Sequence, residues 1–418
     1  MKIPRPRGTR DFYPEEMEKR RALEQKMRRT AESWGYGEIA TPMFEHLELF
    51  TLRSGEAIKN EIYAFLDKSE RKVALRPELT APAVRMYVDG MQRAPKPLRL
   101  YYFGNCFRYE RPQRGRFREF WQFGAELIGG RKIYADAENM ALAHAMLFAS
   151  GLSTTLRVSH LEVVGKLLDG LSEVHRRAVL RLIDKDALDE LAVFLEQTGR
   201  EELLTSLSAL MKPEGDPFTS LELASDISPC EGIGQLKSTL ELLEAYEVPF
   251  EVDFRIVRGL DYYKGIVFEA FAEGLGAENQ VCGGGSYALS ELFGGEPVSS
   301  CGFGIGFDRV MEVCECPLSR ADKVMMVNVG DTYPYAIRIA RQLRESTQLE
   351  VQLDVMGRSI KEQLSRAASM KIRYAVIVGE REMREQTLTL RDLHTEAQRV
   401  LGIGDAIEIL REGSVFDE

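Results

Sequence analysis

Between residues 97 and 118 the chain sets six arginines (Arg99, Arg108, Arg111, Arg114, Arg116 and Arg118) against one acid, Glu110. Arginine offers a planar fork that grips phosphate oxygens in pairs and keeps its charge at any working pH. Aromatic residues flank the run: Tyr101, Tyr102, Phe107, Tyr109, Phe117, Phe120 and Trp121. Bases stack on such rings beside arginines, so the segment points to a nucleotide or a nucleic acid. A solvated charged hairpin is the plainer alternative. Arginines also adjoin acids at Arg76-Pro77-Glu78, Arg108-Tyr109-Glu110, Arg258-Gly259-Leu260-Asp261 and Asp308-Arg309. Each alone is an ordinary surface pair, while together they suit a polyphosphate. The chain contains no G-x-x-x-x-G-K-[ST], so any ATP site must work without the P-loop. Gly302-x-Gly304-x-Gly306 lacks the spacing of a dinucleotide fold, and alternate glycines in a strand instead admit another backbone or a flat ligand.

Other chemistries find little support. The histidines at 46, 144, 160, 175 and 394 are scattered and form no H-E-x-x-H. Six cysteines (106, 230, 282, 301, 314 and 316) form no C-x-x-C, and the single C-x-C at Cys314-Glu315-Cys316 is thin support for a metal. Free thiols and no protein-held metal are the expectation.

The elements that would position these residues are legible by period. Pro14 with Glu15 and Glu16 opens a helix, and Leu23, Met27, Ala31 and Trp34 make its apolar stripe before Gly35. Residues 38–42 read as extended, with Pro42 marking an edge or bulge. Segments 98–107 and 117–128 read as two strands of a long antiparallel hairpin around the arginine loop. Helical text follows at 136–150 and through 160–247. Within it Asp186 is expected as an N-cap with Asp189 at N3, Leu188, Leu191, Ala192 and Leu195 on one face, and Gly199 as the stop. Strands resume at 250–257 and 265–271 and run into two glycine clusters, 283–285 and 302–306. From about 321 the pattern alternates: strand 324–329, helix 335–345, strand 350–355, helix 360–369, strand 374–378, a small α/β domain with a partly parallel sheet.

The 418 residues allow two to four domains, and 44% apolar content supplies an ample core. No apolar run approaches 18 residues, and the start carries no hydrophobic leader, so a cytoplasmic protein is expected. Lys and Arg total 55 against 65 acids, a net charge of −10 that argues against a general nucleic-acid coat without touching a local basic patch. Residues 322–418 hold 14 basic and 16 acidic side chains, so that domain has no overall basic character.

Taken in order, these segments resemble the class II aminoacyl-tRNA synthetases and, within them, the histidyl-tRNA synthetase family. The resemblance begins at Arg7-Gly8-Thr9-Arg10-Asp11-Phe12-Tyr13-Pro14 and a first motif ending at Pro42. It continues through Phe107-Arg108-Tyr109-Glu110-Arg111-Pro112 to Phe120 and ends with Gly304-Ile305-Gly306-Phe307-Asp308-Arg309. Its most specific segment is Arg258-Gly259-Leu260-Asp261-Tyr262-Tyr263. Gly283-Gly284-Gly285-Ser286-Tyr287 matches a second histidine segment, with Ser286 where Arg is usual and Ala288 where Asp is usual.

The resemblance implies an α+β catalytic domain over 1–320 with a six-stranded antiparallel sheet and a helical insertion at about 165–245. A C-terminal α/β anticodon-binding domain would follow over 321–418. It implies activation of L-histidine by ATP, accompanied by Mg2+, transfer to tRNA(His), and a homodimer formed through the first motif. Arg108 and Arg258 would flank the α-phosphate as the catalytic pair, and Glu110, Arg116, Phe120 and Arg309 would complete the ATP site. Glu78, Thr80 and Gln122 would hold the amino and carboxylate groups of histidine, and Glu126, Tyr262, Tyr263 and Tyr287 would enclose or read its imidazole, beside Arg258. Gln122 and Glu126 would equally share one face of a strand without any ligand. The rival reading is a non-catalytic paralogue that regulates an ATP phosphoribosyltransferase in histidine biosynthesis.

Overall fold

Helix α1 (Pro14–Ser33) starts on a proline, where no N–H is lost, with Glu15 and Glu16 at the positive end of its dipole. It buries Leu23, Met27 and Ala31 and, at the same face one turn earlier, Arg20. The computed structural model describes residues 3–54, 61–110, 116–212, 215–257, 262–275, 279–315, 323–347 and 349–412, and divides into two units, Met1–Pro317 and Leu318–Glu418.

In the first unit the strands are β1 (Gly37–Glu38), β2 (Phe44–His46), β3 (Ala64–Leu66), β4 (Lys72–Leu75), β5 (Leu98–Phe107), β6 (Glu119–Ile128), β7 (Leu156–His160), β8 (Phe250–Val252), β9 (Tyr263–Phe271), β10 (Gln280–Tyr287) and β11 (Ser300–Gly306). The main sheet runs β1-β5-β6-β11-β10-β9-β7-β8. Its six inner strands, β5 to β7 in that order, are antiparallel as expected. The sheet nevertheless has eight strands, because β1 and β8 add to its edges in parallel. These additions are two and three residues long, too short to show a period-2 pattern. A separate small sheet has the order β2-β4-β3.

Helices α2 (Glu48–Ser54), α3 (Thr80–Gly90) and α4 (Lys132–Ala149) lie between strands of this unit. Between β7 and β8 lie α5 (Leu161–Leu167), α6 (Glu173–Asp184), α7 (Leu188–Gln197), α8 (Glu202–Leu210), α9 (Pro217–Ile227) and α10 (Glu231–Ala245), with α11 (Phe307–Val313) following β11. The Asp186 cap does not form. Asp186 takes a left-handed φ of 54°, and Ala187 occupies the N-cap of α7 without a side-chain bond. The chain has to turn between α6 and α7, and the loop uses the residue that tolerates positive φ there. Leu191 and Leu195 form the buried face, while Leu188 is exposed.

The second unit has strands β12 (Lys323–Asn328), β13 (Glu350–Leu353), β14 (Tyr374–Val378), β15 (Thr387–Asp392) and β16 (Gln398–Gly402). Its helices are α12 (Tyr333–Ser346), α13 (Ile360–Ser369), α14 (Glu380–Glu385) and α15 (Ile403–Glu412). The sheet order is β13-β12-β14-β15-β16, parallel through its first three strands and antiparallel beyond. This unit buries its own core, built on Val324, Met326, Ile339, Leu343, Val376 and Leu390.

Candidate active site

The cavity opens on one face of the main sheet, encloses about 370 Å³ and is lined by residues from the turn before α3, β5, β6, β9, β10, β11 and α11. Cross-strand register explains its floor. Tyr102 pairs with Gly124, which pairs with Gly304, which pairs with Gly283; one step along, Glu126 pairs with Gly302 and Gly302 with Gly285. Residues directly opposite in a ladder project to the same side. Gly304 and Gly283 line the cavity with Gly284 and Gly306, whereas the space over Gly124 and Gly302 is taken by the Tyr102 ring and the Glu126 carboxylate. At Gly302 the room that the missing side chain leaves is used by the Glu126 carboxylate of the neighbouring strand, and at Gly304 the nearest side chain is Gln122.

Along β6 the same face carries Phe120, Gln122 and Glu126, a run of roughly 20 Å at the usual strand rise. Glu126 is fully buried and accepts a hydrogen bond on each oxygen, from the Tyr102 hydroxyl (2.7 Å) and from the Tyr287 hydroxyl (2.6 Å). Burial pushes its carboxyl up to about 8 against the opposing pull of those two donors. Tyr102 also lies 3.3 Å from the Thr80 hydroxyl. Tyr262 and Tyr263 line the cavity with ring centroids 4.9 Å apart, and Tyr262 meets Tyr287 edge-on. Glu126 and Tyr287 stand behind the lining, whereas Tyr102 reaches it. The sequence offers Tyr102 only as one of the aromatics beside the arginine run, and its place against Glu126 is missed because nothing local marks a strand tyrosine as facing a carboxylate 24 positions away.

Glu78 is buried at the mouth of α3. Its carboxylate accepts the N–H groups of Thr80 and Ala81, covering donors that the first helical turn leaves open. Burial raises its carboxyl, partly offset by those bonds and by the charge of Arg108. Gln122 accepts from the Cys106 thiol at 3.3 Å.

Among the cations, Arg108 donates Nε–H to the Pro77 carbonyl (2.9 Å), and its guanidinium lies 5.1 Å from the centre of the Phe120 ring. Arg116 pairs with Glu110 at 3.5 Å. Arg309 donates to the Gln280 carbonyl at 2.6 Å. Arg108, Glu110, Arg116, Phe120 and Arg309 all line the cavity, as do Glu78, Thr80, Gln122, Tyr262 and Tyr263. Arg76 has a structural part instead: it donates to the Asn105 and Thr41 carbonyls and ties β4 to β5. Arg258, with Gly259, Leu260 and Asp261, lies outside the described residues, as do Arg111 and Arg114. Ser286 points to the opposite side of the sheet from Tyr287, where it donates to Asp136 of α4 at 2.8 Å. Burial raises that carboxyl to about 6.

Such a cavity can accept a planar base beside Phe120, a polyanion among the arginines and a small polar ring against the tyrosines. A family model described as histidyl-tRNA synthetase matches residues 8–310, and one described as anticodon binding domain matches residues 323–413. A histidine–tRNA ligase of Methanosarcina acetivorans is 49% identical over 411 residues, covering 98% of this chain and 98% of its own length. Another, of Archaeoglobus fulgidus, is 48% identical over 412 residues, covering 98% and 100%. The crystal structure of a histidyl-tRNA synthetase from a Nostoc species matches with a TM-score of 0.81 at 25% identity, covering 99% of this chain and 100% of that one.

Proposed function

The chain belongs to the histidyl-tRNA synthetase family, and from that membership we propose how its cavity carries out the ligase reaction. The chain is an ATP-dependent ligase that charges tRNA with histidine. Relatives named as ligases along nearly the whole length favour this over the regulatory paralogue.

In the first step the histidine carboxylate attacks the α-phosphorus of ATP, forming histidyl-adenylate and releasing pyrophosphate. The attacking group is already ionised, so no general base is needed. The barrier lies in bringing two anions together and in the charge that builds on the α-phosphate oxygens. Fixed cations lower both, through positioning and electrostatic stabilisation. Arg108 is assigned to the α-phosphate with Arg258 opposite it, Arg116 and Arg309 to the β/γ end, and Phe120 to adenine. Glu110 holds Arg116 in place. The carbonyl anchors on Arg108 and Arg309 support this reading, because they fix the guanidinium planes before substrate arrives. Mg2+ is proposed to enter with the triphosphate. In support, Glu78 and Glu110 on the cavity wall are already engaged, with helix N–H groups and with Arg116.

Glu78, Thr80 and Gln122 are assigned to the amino and carboxylate end of histidine, and Glu126, Tyr262, Tyr263 and Tyr287 to its imidazole. An amino acid without ring nitrogens would leave buried polar groups unpaired, which permits discrimination of roughly 10⁴–10⁵ without editing. The second unit is proposed to read the anticodon. A homodimer is proposed to form through the first motif, the segment ending at Pro42 that holds α1 and β1. Among the described residues no helix is long and apolar enough to cross a membrane, which accords with a proposed cytoplasmic location.

The observation that carries the reading is Glu126, buried behind the cavity wall with one tyrosine hydroxyl on each oxygen, of which Tyr102 reaches the cavity. The experiment is ATP–pyrophosphate exchange: it should require L-histidine, and folded protein that exchanges without histidine, or not at all, overturns the assignment.

A further inference from the structure

The segment Arg7-Gly8-Thr9-Arg10-Asp11-Phe12 carries none of the roles assigned so far, yet it is tied to the wall of the cavity. The Gly8 carbonyl accepts the Arg118 N–H at 2.9 Å. Gly8 has φ +86°, and a β-carbon there would lie 2.6 Å from the Arg118 side chain, so only glycine fits the crossing. Arg10 lays its guanidinium 3.5 Å from the centre of the Phe117 ring and pairs with Asp308 at 2.6 Å.

Asp308 is the hub. Its buried carboxylate also accepts from Arg20 of α1 (2.6 Å) and from the Trp121 backbone N–H (2.7 Å). One side chain therefore joins the N-terminal segment, the first helix, the start of β6 and the start of α11. Among the described residues Asp308 is the one carboxylate that faces both guanidiniums, one negative charge for two positive. Aromatic faces share that load: Arg20 lies 4.1 Å from the Phe12 ring centre and 4.9 Å from that of Phe307. Phe117, Trp121 and Asp308 themselves line the cavity, next to Arg116 and Arg309 in sequence.

We propose that residues 8–12 act as a strap for the nucleotide half of the site, with Arg10 as its positioning residue. Arg10 does not line the cavity. It fixes Phe117 from behind and shares Asp308 with Arg20, and so sets the approach of Arg116 and Arg309 to a triphosphate. The histidine half, built on Glu126 and the tyrosines, has no partner in the strap. The proposal rests on the ATP reading above and predicts an effect that separates the two substrates.

The test uses full-length wild type, Arg10→Ala, Arg10→Lys and Gly8→Ala. KM for ATP and KM for histidine are measured separately by exchange, with binding of a non-hydrolysable ATP analogue and of histidine by calorimetry. Arg10→Ala and Gly8→Ala should raise KM for ATP about tenfold and weaken the analogue to match, with histidine affinity within about twofold. Arg10→Lys should fall between, since it keeps the pair to Asp308 but loses the flat stack on Phe117. Equal losses for both ligands, or an unchanged ATP term in folded protein, would overturn the strap. Should Arg10→Ala not fold, Arg10→Lys and Gly8→Ala are judged by the same split. Wild type that shows no exchange defeats the activity reading alone, because the analogue still reports whether the strap governs nucleotide binding.

Discussion

Gly302 on β11 stands opposite Glu126 on β6, and a β-carbon at 302 would overlap the Oε2 of that carboxylate. Glu126 has no room to withdraw, since Tyr102 and Tyr287 hold its two oxygens. The pocket that would read imidazole thus depends on an absent side chain in the neighbouring strand.

Gly302→Ala should therefore disable histidine recognition. The added methyl also crowds the Ala125 carbonyl at 3.0 Å, so relief by backbone movement is blocked on that side. We expect a stability loss of about 1–3 kcal/mol, in the range of overpacked cores. The accompanying loss of histidine-dependent exchange should be more than about a hundredfold, because the displaced group is the one proposed to meet the ring. Thermal melting and exchange on the same preparation check both. A normal melt with an ordinary KM for histidine would show that the wall yields.

The ionisation of Glu126 gives a second test. Burial pushes it from 4.5 to about 8 in the folded protein, so the folded state holds this proton more tightly than the unfolded chain. Its contribution to stability is complete below about 4.5 and is lost as pH rises towards 8. Glu126→Gln does not titrate. Ligand-free wild type should lose stability relative to Glu126→Gln as pH is raised from 5 to 8, read as the difference between their melting temperatures. A pH-independent difference would contradict the burial argument.

How much of this was legible in the sequence depends on range. The stripe Leu23, Met27, Ala31, the hairpin strands around the arginine loop and the alternation after residue 321 are local patterns, and each appears as read, within a few residues. The segments read as extended at 38–42 and as a strand at 250–257 yield only the short edge strands β1 and β8, and the Asp186 cap fails because it depends on a loop geometry that spacing does not encode. Within the site, residue types were legible and their partners were not. Tyr102 finds Glu126 across 24 positions and Arg20 finds Asp308 across 288, so neither pair leaves a local trace. Arg20 lies on the buried face of α1, one turn before Leu23, where its residue type gives no sign of the carboxylate it meets.

Ser286 supplies a third prediction. It donates to Asp136 on the side of the sheet away from the cavity, and the carboxyl is raised to about 6 by burial despite that bond. Ser286→Ala removes a donor that favours the charged form, so the carboxyl should rise further. Its cost should be about 1–3 kcal/mol where the acid is ionised and smaller where it is neutral. Melting at pH 8 should consequently fall more than at pH 5. Equal drops at the two pH values would mean that the hydroxyl matters only as packing.

The last prediction separates the two units. Every described residue of the cavity lies before Pro317, and the second unit buries a core of its own. Adenylate formation should therefore not require residues 318–418, whereas recognition of tRNA at a distance from the acceptor end should. A chain ending at Pro317 is expected to keep histidine-dependent exchange within about tenfold of the full-length protein. Charging of tRNA, measured as kcat/KM, should drop by about a hundredfold or more, the equivalent of roughly 2.8 kcal/mol of lost contact. The second unit carries near-balanced charge, 14 basic against 16 acidic residues over 322–418, so those contacts must come from placed groups and not from a broad basic face. The salt dependence of charging by the full-length protein should accordingly be shallow. If truncation spares charging, the second unit serves assembly instead, and the oligomeric state of the truncated chain measured by light scattering would show it.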